Sequence, residues 1–113
     1  MDANNATSLL PPPTTALTLN HTQTWKYETD QFEGVCEIAR DVMVVKCAFE
    51  CTSRSFFDVL QIDAFIRQLL ESPVSVERLA EQLADAFPSL RVTVSGRAAT
   101  HGWITSTVAK RFC

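Results

Sequence analysis

The sequence predicts an α+β domain in which a four-stranded antiparallel sheet carries two helices on one face. Strand-like stretches occupy both ends of the domain, helical periodicity fills its middle, and turn-forming residues separate the elements. The resulting order is strand, strand, helix, helix, strand, strand. An antiparallel sheet with both helices on one face is the most economical packing for this order.

The composition is that of one folded domain, with 113 residues, 46% of them apolar, 20% charged, and a net charge of -3. This balance argues against an electrostatic nucleic-acid partner. No apolar run approaches the ~20 residues that a membrane span needs, so no membrane partner is expected. Residues 1–5 lack the basic start of a secretory signal. We therefore expect a cytoplasmic protein in which Cys36, Cys47, Cys51 and Cys113 are reduced thiols.

The first half of the chain predicts a leader and two strands. Residues 1–15 contain a proline run and no periodicity, which indicates a flexible or extended leader before a single domain over residues 16–113. Apolar side chains at odd positions predict a strand over 16–28, and β-branched content predicts another over 42–49. These two strands are expected to pair antiparallel, with residues 32–41 as a connection or a hairpin arm.

The second half predicts two helices and two strands. From residue 55 an apolar stripe recurs at helical spacing as far as Leu70, and a second helix is predicted over residues 75–87. Ser75 can cap this helix with its hydroxyl, and Pro88 blocks its continuation. Apolar and polar residues then alternate in two final strand-like stretches, which cover residues 90–96 and 103–108.

The second helix and the final strands resemble GTP cyclohydrolase I and its relatives in the tunnelling fold (T-fold). The residues that carry this resemblance run from Val74 to Phe87 and from Ile104 to Phe112. The resemblance implies a barrel completed by oligomerisation and a bound purine- or pterin-like ring. It also implies that Glu77, at the start of the second helix, holds the ring's N–H edge, because a carboxylate can accept two parallel N–H bonds. The cysteines and histidines that bind zinc in the cyclohydrolase have no counterparts here, so we expect no metal.

Four further segments, residues 32–36, 52–55, 88–97 and 101–104, carry a second resemblance. They look like 7-cyano-7-deazaguanine reductase, the QueF family of queuosine metabolism. This resemblance implies an NADPH-dependent enzyme, or an amidinotransferase-like relative. In such an enzyme Cys36 attacks the substrate nitrile to form a thioimide, Asp41 handles the proton, and Glu77 holds the deazapurine ring. The implied cofactor contacts are Ser53, Arg54, Ser55, Arg97 and His101.

Three of these residues also have a purely structural interpretation. Glu77 can be a stabilising first-turn acid near the positive end of the helix dipole. His101 can be a solvated turn residue, and this is the interpretation that we favour for it. Cys36 can be a core residue, because free cysteines are among the most buried residue types. We favour a pocket position for Cys36, since Gly34 permits a turn or bulge that would aim its thiol.

Two classes of function follow. The first is an enzyme of the reductase type. The second is a non-catalytic T-fold protein that keeps the assembly and binds a purine- or pterin-like ligand or a protein partner. A covalent adduct with 7-cyano-7-deazaguanine would distinguish them. In both cases the strand over residues 42–49 is apolar on both faces, so we expect a homo-oligomer that covers the second face.

Overall fold

The computed structural model describes residues 18–55 and 57–109, which form five strands and two helices. The predicted leader and Cys113 lie outside the described residues. In chain order the elements are β1 (Thr18–Glu28), β2 (Phe32–Val35), β3 (Val42–Ser55), α1 (Val59–Leu69), α2 (Val76–Ala86), β4 (Arg91–Ala98) and β5 (Trp103–Val108).

The five described strands belong to one antiparallel sheet in the order β1-β3-β4-β5, and β2 also pairs with β3. The predicted α+β class, its two helices and the pairing of β1 with β3 are confirmed. The predicted number of strands is wrong, because the sheet has five strands and not four. The segment that could have been a connection is a hairpin arm, with β2 on residues 42–45 of β3 and β1 on residues 48–55.

The fifth strand fits because β3 is longer than predicted. It spans 14 residues and ends at Ser55, whereas the sequence pattern suggested an end at Phe49 and a helix from Ser55. One edge of β3 is therefore long enough for two partners end to end. Helix α1 begins only at Val59, where the Asp58 carboxylate accepts a hydrogen bond from the Leu60 N–H at 3.0 Å and caps the helix.

The hydrophobic core lies between the sheet and the helices. Successive side chains of a strand point to opposite faces, and alternate residues of β3 and β4 are almost fully buried. These residues are Met43, Val45, Cys47, Phe49, Cys51, Val92 and Val94. Buried residues of both helices belong to the same cluster, which places α1 and α2 on one face of the sheet.

The second face of the sheet is more polar than the sequence suggested. Hydroxyl groups pair across β4 and β5, with oxygen–oxygen distances of 3.0 Å between Thr93 and Thr107 and between Ser95 and Thr105. Val42 is exposed on this face. Among the described residues, no helix is long and apolar enough to cross a membrane.

Candidate functional site

A pocket of about 140 Å³ lies where the β2–β3 loop, the start of α2 and the β4–β5 turn meet. Most of its wall is apolar, but three side chains with acid–base chemistry also line it, namely Cys36, Glu77 and His101. The remaining lining residues are Ile38, Ala39, Met43, Ser75, Val76 and Ile104. Three residues singled out from the sequence, on three separate elements, are therefore neighbours in the fold.

Cys36 begins the tight loop that joins β2 to β3. Its N–H donates to the Asp41 carbonyl at 2.9 Å, and its carbonyl accepts from the Arg40 N–H at 2.8 Å. The Ala39 N–H donates to the Cys36 sulfur at 3.5 Å. The side chain is only 6% exposed, although it lines the pocket. The loop thus holds the thiol at the pocket wall with a backbone donor directed at its sulfur.

The turn that aims this loop is not at Gly34, as the sequence suggested. Gly34 lies within β2 opposite Met43, and no glycine of the described chain has a positive φ. The left-handed residue is Arg40, with a φ of 59°. Gly34 instead gives space to α1, because a Cβ at this position would come within 2.9 Å of Leu70 Cδ2.

Glu77 lies in the first turn of α2, where the cap holds the backbone in place. The Ser75 hydroxyl accepts from the Arg78 N–H at 3.1 Å. The Glu77 side chain is exposed and makes no hydrogen bond or ion pair with the described residues. Its two carboxylate oxygens are consequently available to a ligand in the pocket.

The close packing of α2 on the sheet depends on Gly96 of β4. A Cβ at this position would lie 2.5 Å from Val76 Cγ2, which is nearer than a real Cβ contact allows. The absence of a side chain at Gly96 lets the first turn of α2 approach the sheet. The position of Glu77 relative to the pocket depends on this close approach, because Glu77 follows Val76 directly.

Glu37 joins the Cys36 loop to the start of α2. Its Oε2 atom accepts from Arg78 Nε at 2.8 Å and from the Ser75 N–H at 3.0 Å. Hydrogen bonding to the Arg78 side chain is the main reason that the pKa of Glu37 lies below its usual value. No local sequence pattern predicts this role of Glu37, because Arg78 lies 41 positions away.

His101 lies in the turn between β4 and β5 and lines the pocket. Its backbone N–H donates to the Ala98 carbonyl at 3.2 Å, and its Nδ1 atom lies 2.6 Å from the Gly102 carbonyl oxygen. The side chain is half-buried. The His101 side chain therefore forms part of the wall of the pocket that Cys36 and Glu77 also line.

Asp41 is differently placed from the other predicted catalytic residue. Its Oδ1 atom accepts from the Val42 N–H at 3.2 Å, and Asp41 is not among the residues that line the pocket. The Asp41 backbone carbonyl, which accepts from the Cys36 N–H, closes the loop. Asp41 therefore helps to fix the conformation of the loop that carries Cys36.

The residues implied as cofactor contacts, apart from His101, do not line the pocket. Ser53, Arg54 and Ser55 end β3, about ten residues and roughly 35 Å from Met43 at the pocket. The Arg54 Nε atom donates to the Leu19 carbonyl at 3.1 Å. Arg97 pairs across strands with Trp103, and both are exposed.

The described residues contain no group of three or more His, Cys, Asp or Glu side chains that could hold a metal ion. Among the described residues, no disulfide involves Cys36, Cys47 or Cys51. Burial, followed by the nearby Asp63 charge, raises the pKa of Cys47 to about 12, so this core thiol is unsuited to nucleophilic chemistry at neutral pH.

No protein-family profile and no curated protein sequence matches this chain. The pocket offers a thiol that can attack an electrophilic carbon, a carboxylate that can accept N–H bonds, and an imidazole that can move a proton. These three groups define the chemistry that is open to the site.

Proposed function

We propose that the pocket binds a guanine-like ring through Glu77 and that Cys36 adds covalently to the nitrile of 7-cyano-7-deazaguanine. One observation carries the proposal: Cys36 and Glu77 line the same pocket although they are 41 positions apart in the sequence. The residues that the reductase resemblance pairs by function are thus neighbours in space. The proposed fold family is the T-fold, with which the antiparallel sheet and two helices are compatible.

Glu77 suits the recognition of a guanine-like ring. Such a ring presents adjacent N–H groups on one edge, and a carboxylate can accept both in a charge-assisted pair. Since Glu77 has no competing partner among the described residues, binding would not have to break an existing ion pair. The apolar wall formed by Met43 and Val76 suits the faces of a planar ring.

Cys36 would act by addition to the nitrile. A bond forms between its sulfur and the nitrile carbon, one π bond of the nitrile breaks, and the thiol proton ends on the nitrogen to give a thioimide. This step needs no oxidant, no reductant and no leaving group. Reduction of the thioimide to the primary amine would require two hydrides and two protons and would release the Cys36 thiol, and NADPH is the hydride donor that the resemblance implies.

The pocket within one chain is small for a complete ligand site. Its volume of about 140 Å³ is below the roughly 300–1,000 Å³ that small-molecule sites usually have. The end of the molecule that holds the pocket also carries an exposed apolar cluster on the β2–β3 hairpin and on β5, and such a cluster is typical of an interface. Ile38 and Ile104 line the pocket, whereas the strand register places Val35, Val42 and Trp103 on the opposite face of the sheet. We therefore propose that a second copy of the chain covers this end and completes the site, with β1 and β5 as the outer described strands available for sheet continuation.

The enzyme proposal is tested by incubating the protein with 7-cyano-7-deazaguanine. We expect an increase in intact mass equal to the whole ligand, together with a new near-ultraviolet absorbance, and we expect neither in Cys36→Ala. Binding of the ligand without a mass increase would overturn the chemistry.

That outcome would favour the second candidate, a T-fold protein that binds a purine- or pterin-like ring or a protein partner without catalysis. The specific observation in its favour is the low exposure of Cys36, whose side chain is 6% accessible. The Asp41 carboxylate does not line the pocket, and this also favours a protein that binds a ligand without catalysis.

The assembly proposal is tested by sedimentation equilibrium at micromolar concentration. We expect an oligomer for the natural chain and a smaller species for Trp103→Asp, since a charge at the interface would be buried without a partner. Leu60→Asp is the matched control. Leu60 is an apolar residue of α1 that is 74% exposed, and it lies outside the exposed apolar cluster at the pocket end of the molecule. A monomeric natural chain would contradict the proposal.

A further inference from the structure

The titratable groups that line the pocket, among the described residues, are Cys36, Glu77 and His101. Glu37 in the loop and Arg78 in the helix are charged residues next to this set, but they form an ion pair with each other at 2.8 Å. Asp41, the proton carrier that the resemblance implies, does not line the pocket. If Cys36 is a nucleophile, its proton therefore has to go to another group.

The hydrogen bond of His101 defines which of its nitrogens can take that proton. Nδ1 lies 2.6 Å from the Gly102 carbonyl oxygen. A carbonyl oxygen only accepts hydrogen bonds, so Nδ1 must carry the hydrogen. In the neutral ring the lone pair is then on Nε2, which is the nitrogen able to act as a base.

Imidazole is also the better chemical match for a thiol. In model peptides a thiol has a pKa of ~8.5, an imidazole ~6.5 and a glutamate ~4.3, so proton transfer to imidazole is the less unfavourable by about two units. Cys36 and His101 both line this pocket of about 140 Å³, which is large enough to hold water. Water in the pocket can therefore carry a proton between the two side chains.

We propose that His101 is the proton acceptor for Cys36, with Nε2 as the receiving atom. This inference rests on the proposed function, in which Cys36 is the attacking group. The Cys36 sulfur gives its proton to His101 as the sulfur–carbon bond forms, and His101 returns that proton to the nitrile nitrogen of the thioimide. No electrons are gained or lost overall, and His101 ends as it began.

The test measures the alkylation rate of Cys36 by iodoacetamide as a function of pH, with intact mass as the readout. Cys36→Ala is the blank that accounts for the other thiols. Below about pH 7.5 we expect His101→Gln to react at least about tenfold more slowly than the natural chain, because the thiol has lost its base. Near pH 10 the two rates should agree within about twofold, since hydroxide then ionises the thiol without help.

The matched control is His21→Gln, because His21 is the other histidine of the chain and is exposed on β1. The rate of Cys36 alkylation in His21→Gln should depend on pH as it does in the natural chain. His101→Asn is a second variant with a shorter side chain, and it should behave as His101→Gln does. Equal rates at neutral pH in the natural chain and both His101 variants would overturn the inference, and so would a rate lowered by one constant factor at every pH.

Iodoacetamide contains no nitrile and does not resemble the ring, which separates this test from that of the proposed function. A pH profile as expected with no adduct from 7-cyano-7-deazaguanine would leave Cys36 and His101 as an acid–base pair and remove the proposed substrate. An adduct that forms equally well in His101→Gln would keep the substrate and remove His101 as the base.

Discussion

Glu37 and Arg78 form an ion pair with a distance of 2.8 Å between Oε2 and Nε, and this contact ties the Cys36 loop to the helix that carries Glu77. Neither partner is deeply buried, with 27% of the Glu37 side chain and 60% of the Arg78 side chain exposed. The same Oε2 atom also accepts from the Ser75 N–H. The position of the thiol relative to the carboxylate thus depends on a contact made outside the pocket.

The first prediction concerns the pH dependence of this contact. The hydrogen bond from Arg78 lowers the pKa of Glu37 below its ordinary value of 4.5, so the contribution of Glu37 to stability is complete above 4.5. It is lost as the pH falls through the lowered value. We expect the amide proton shift of Ser75, followed by nuclear magnetic resonance, to titrate with a midpoint below 4.5.

Glu37→Gln should abolish this titration step, whereas Glu28→Gln, a charge removal on β1, should leave it unchanged. A Ser75 amide that is insensitive to acid in the natural chain would show that Glu37 does not hold the loop in solution.

The second prediction concerns Glu77. If this carboxylate holds a ring, Glu77→Gln should weaken the binding of guanine by ~1.5–3 kcal/mol, the usual value of a hydrogen bond to a charged group. Calorimetric titration measures this difference. Glu81→Gln is the control, because Glu81 is an exposed acid one turn further along the same helix.

If Glu77 is only a first-turn acid, the substitution should instead cost ~0.3–1 kcal/mol of stability. The affinity for guanine would then be the same in the natural chain, in Glu77→Gln and in Glu81→Gln.

The third prediction concerns Gly96. A methyl group there would lie 2.5 Å from Val76 Cγ2, and the β-branched Val76 has little rotamer freedom in a helix. We expect Gly96→Ala to lower the free energy of unfolding by ~1–3 kcal/mol, as measured by urea denaturation. Gly102→Ala is the control, since nothing lies within 4 Å of a Cβ at that position. An equal effect of both substitutions would contradict the close approach of α2 to β4.

The fourth prediction uses Tyr27, which is the chain's single tyrosine. Burial, and then the hydrogen bond from its hydroxyl to Asp63 at 2.8 Å, raise its pKa from 10.0 to about 12. The folded state therefore keeps the proton longer than the unfolded state. The stabilisation is complete below pH 10 and is lost as the pH rises towards 12.

Tyrosinate absorbance should give a midpoint near 12 in the native protein and near 10 after denaturation. Asp63→Asn should lower the native midpoint without restoring 10.0, because the burial remains. A native midpoint at the ordinary value would show that α1 does not pack on β1 as described.

The sequence predicted the elements with strong periodicity and missed those fixed by distant contacts. Helix α2 was predicted well, because a capping Ser75 and a blocking Pro88 mark its ends. The sequence leaves β2 open as a connection or a hairpin arm, since four residues are too few to show a period. It predicts too early an end for β3, because the final residues of β3 are mostly polar and are held by pairing with β1.

The candidate site shows the same division. Cys36 and Glu77 were singled out from the sequence, and the fold brings both to one pocket with His101. The contact of Glu37 with Arg78 spans 41 positions and follows from the docking of α2 against the loop. Local patterns carry no information about such a docking, so this part of the site required the structure.

We propose that Cys36 and Glu77 share one ligand pocket, and the alkylation of Cys36 in the native protein, measured with and without guanine, tests this proposal. Guanine carries no nitrile, so it can fill the pocket without reacting. We predict that iodoacetamide labels Cys36 in the folded protein and that guanine slows this labelling in a saturable manner. Labelling that proceeds only at the rate of unfolding, or that is unaffected by guanine, would contradict the claim.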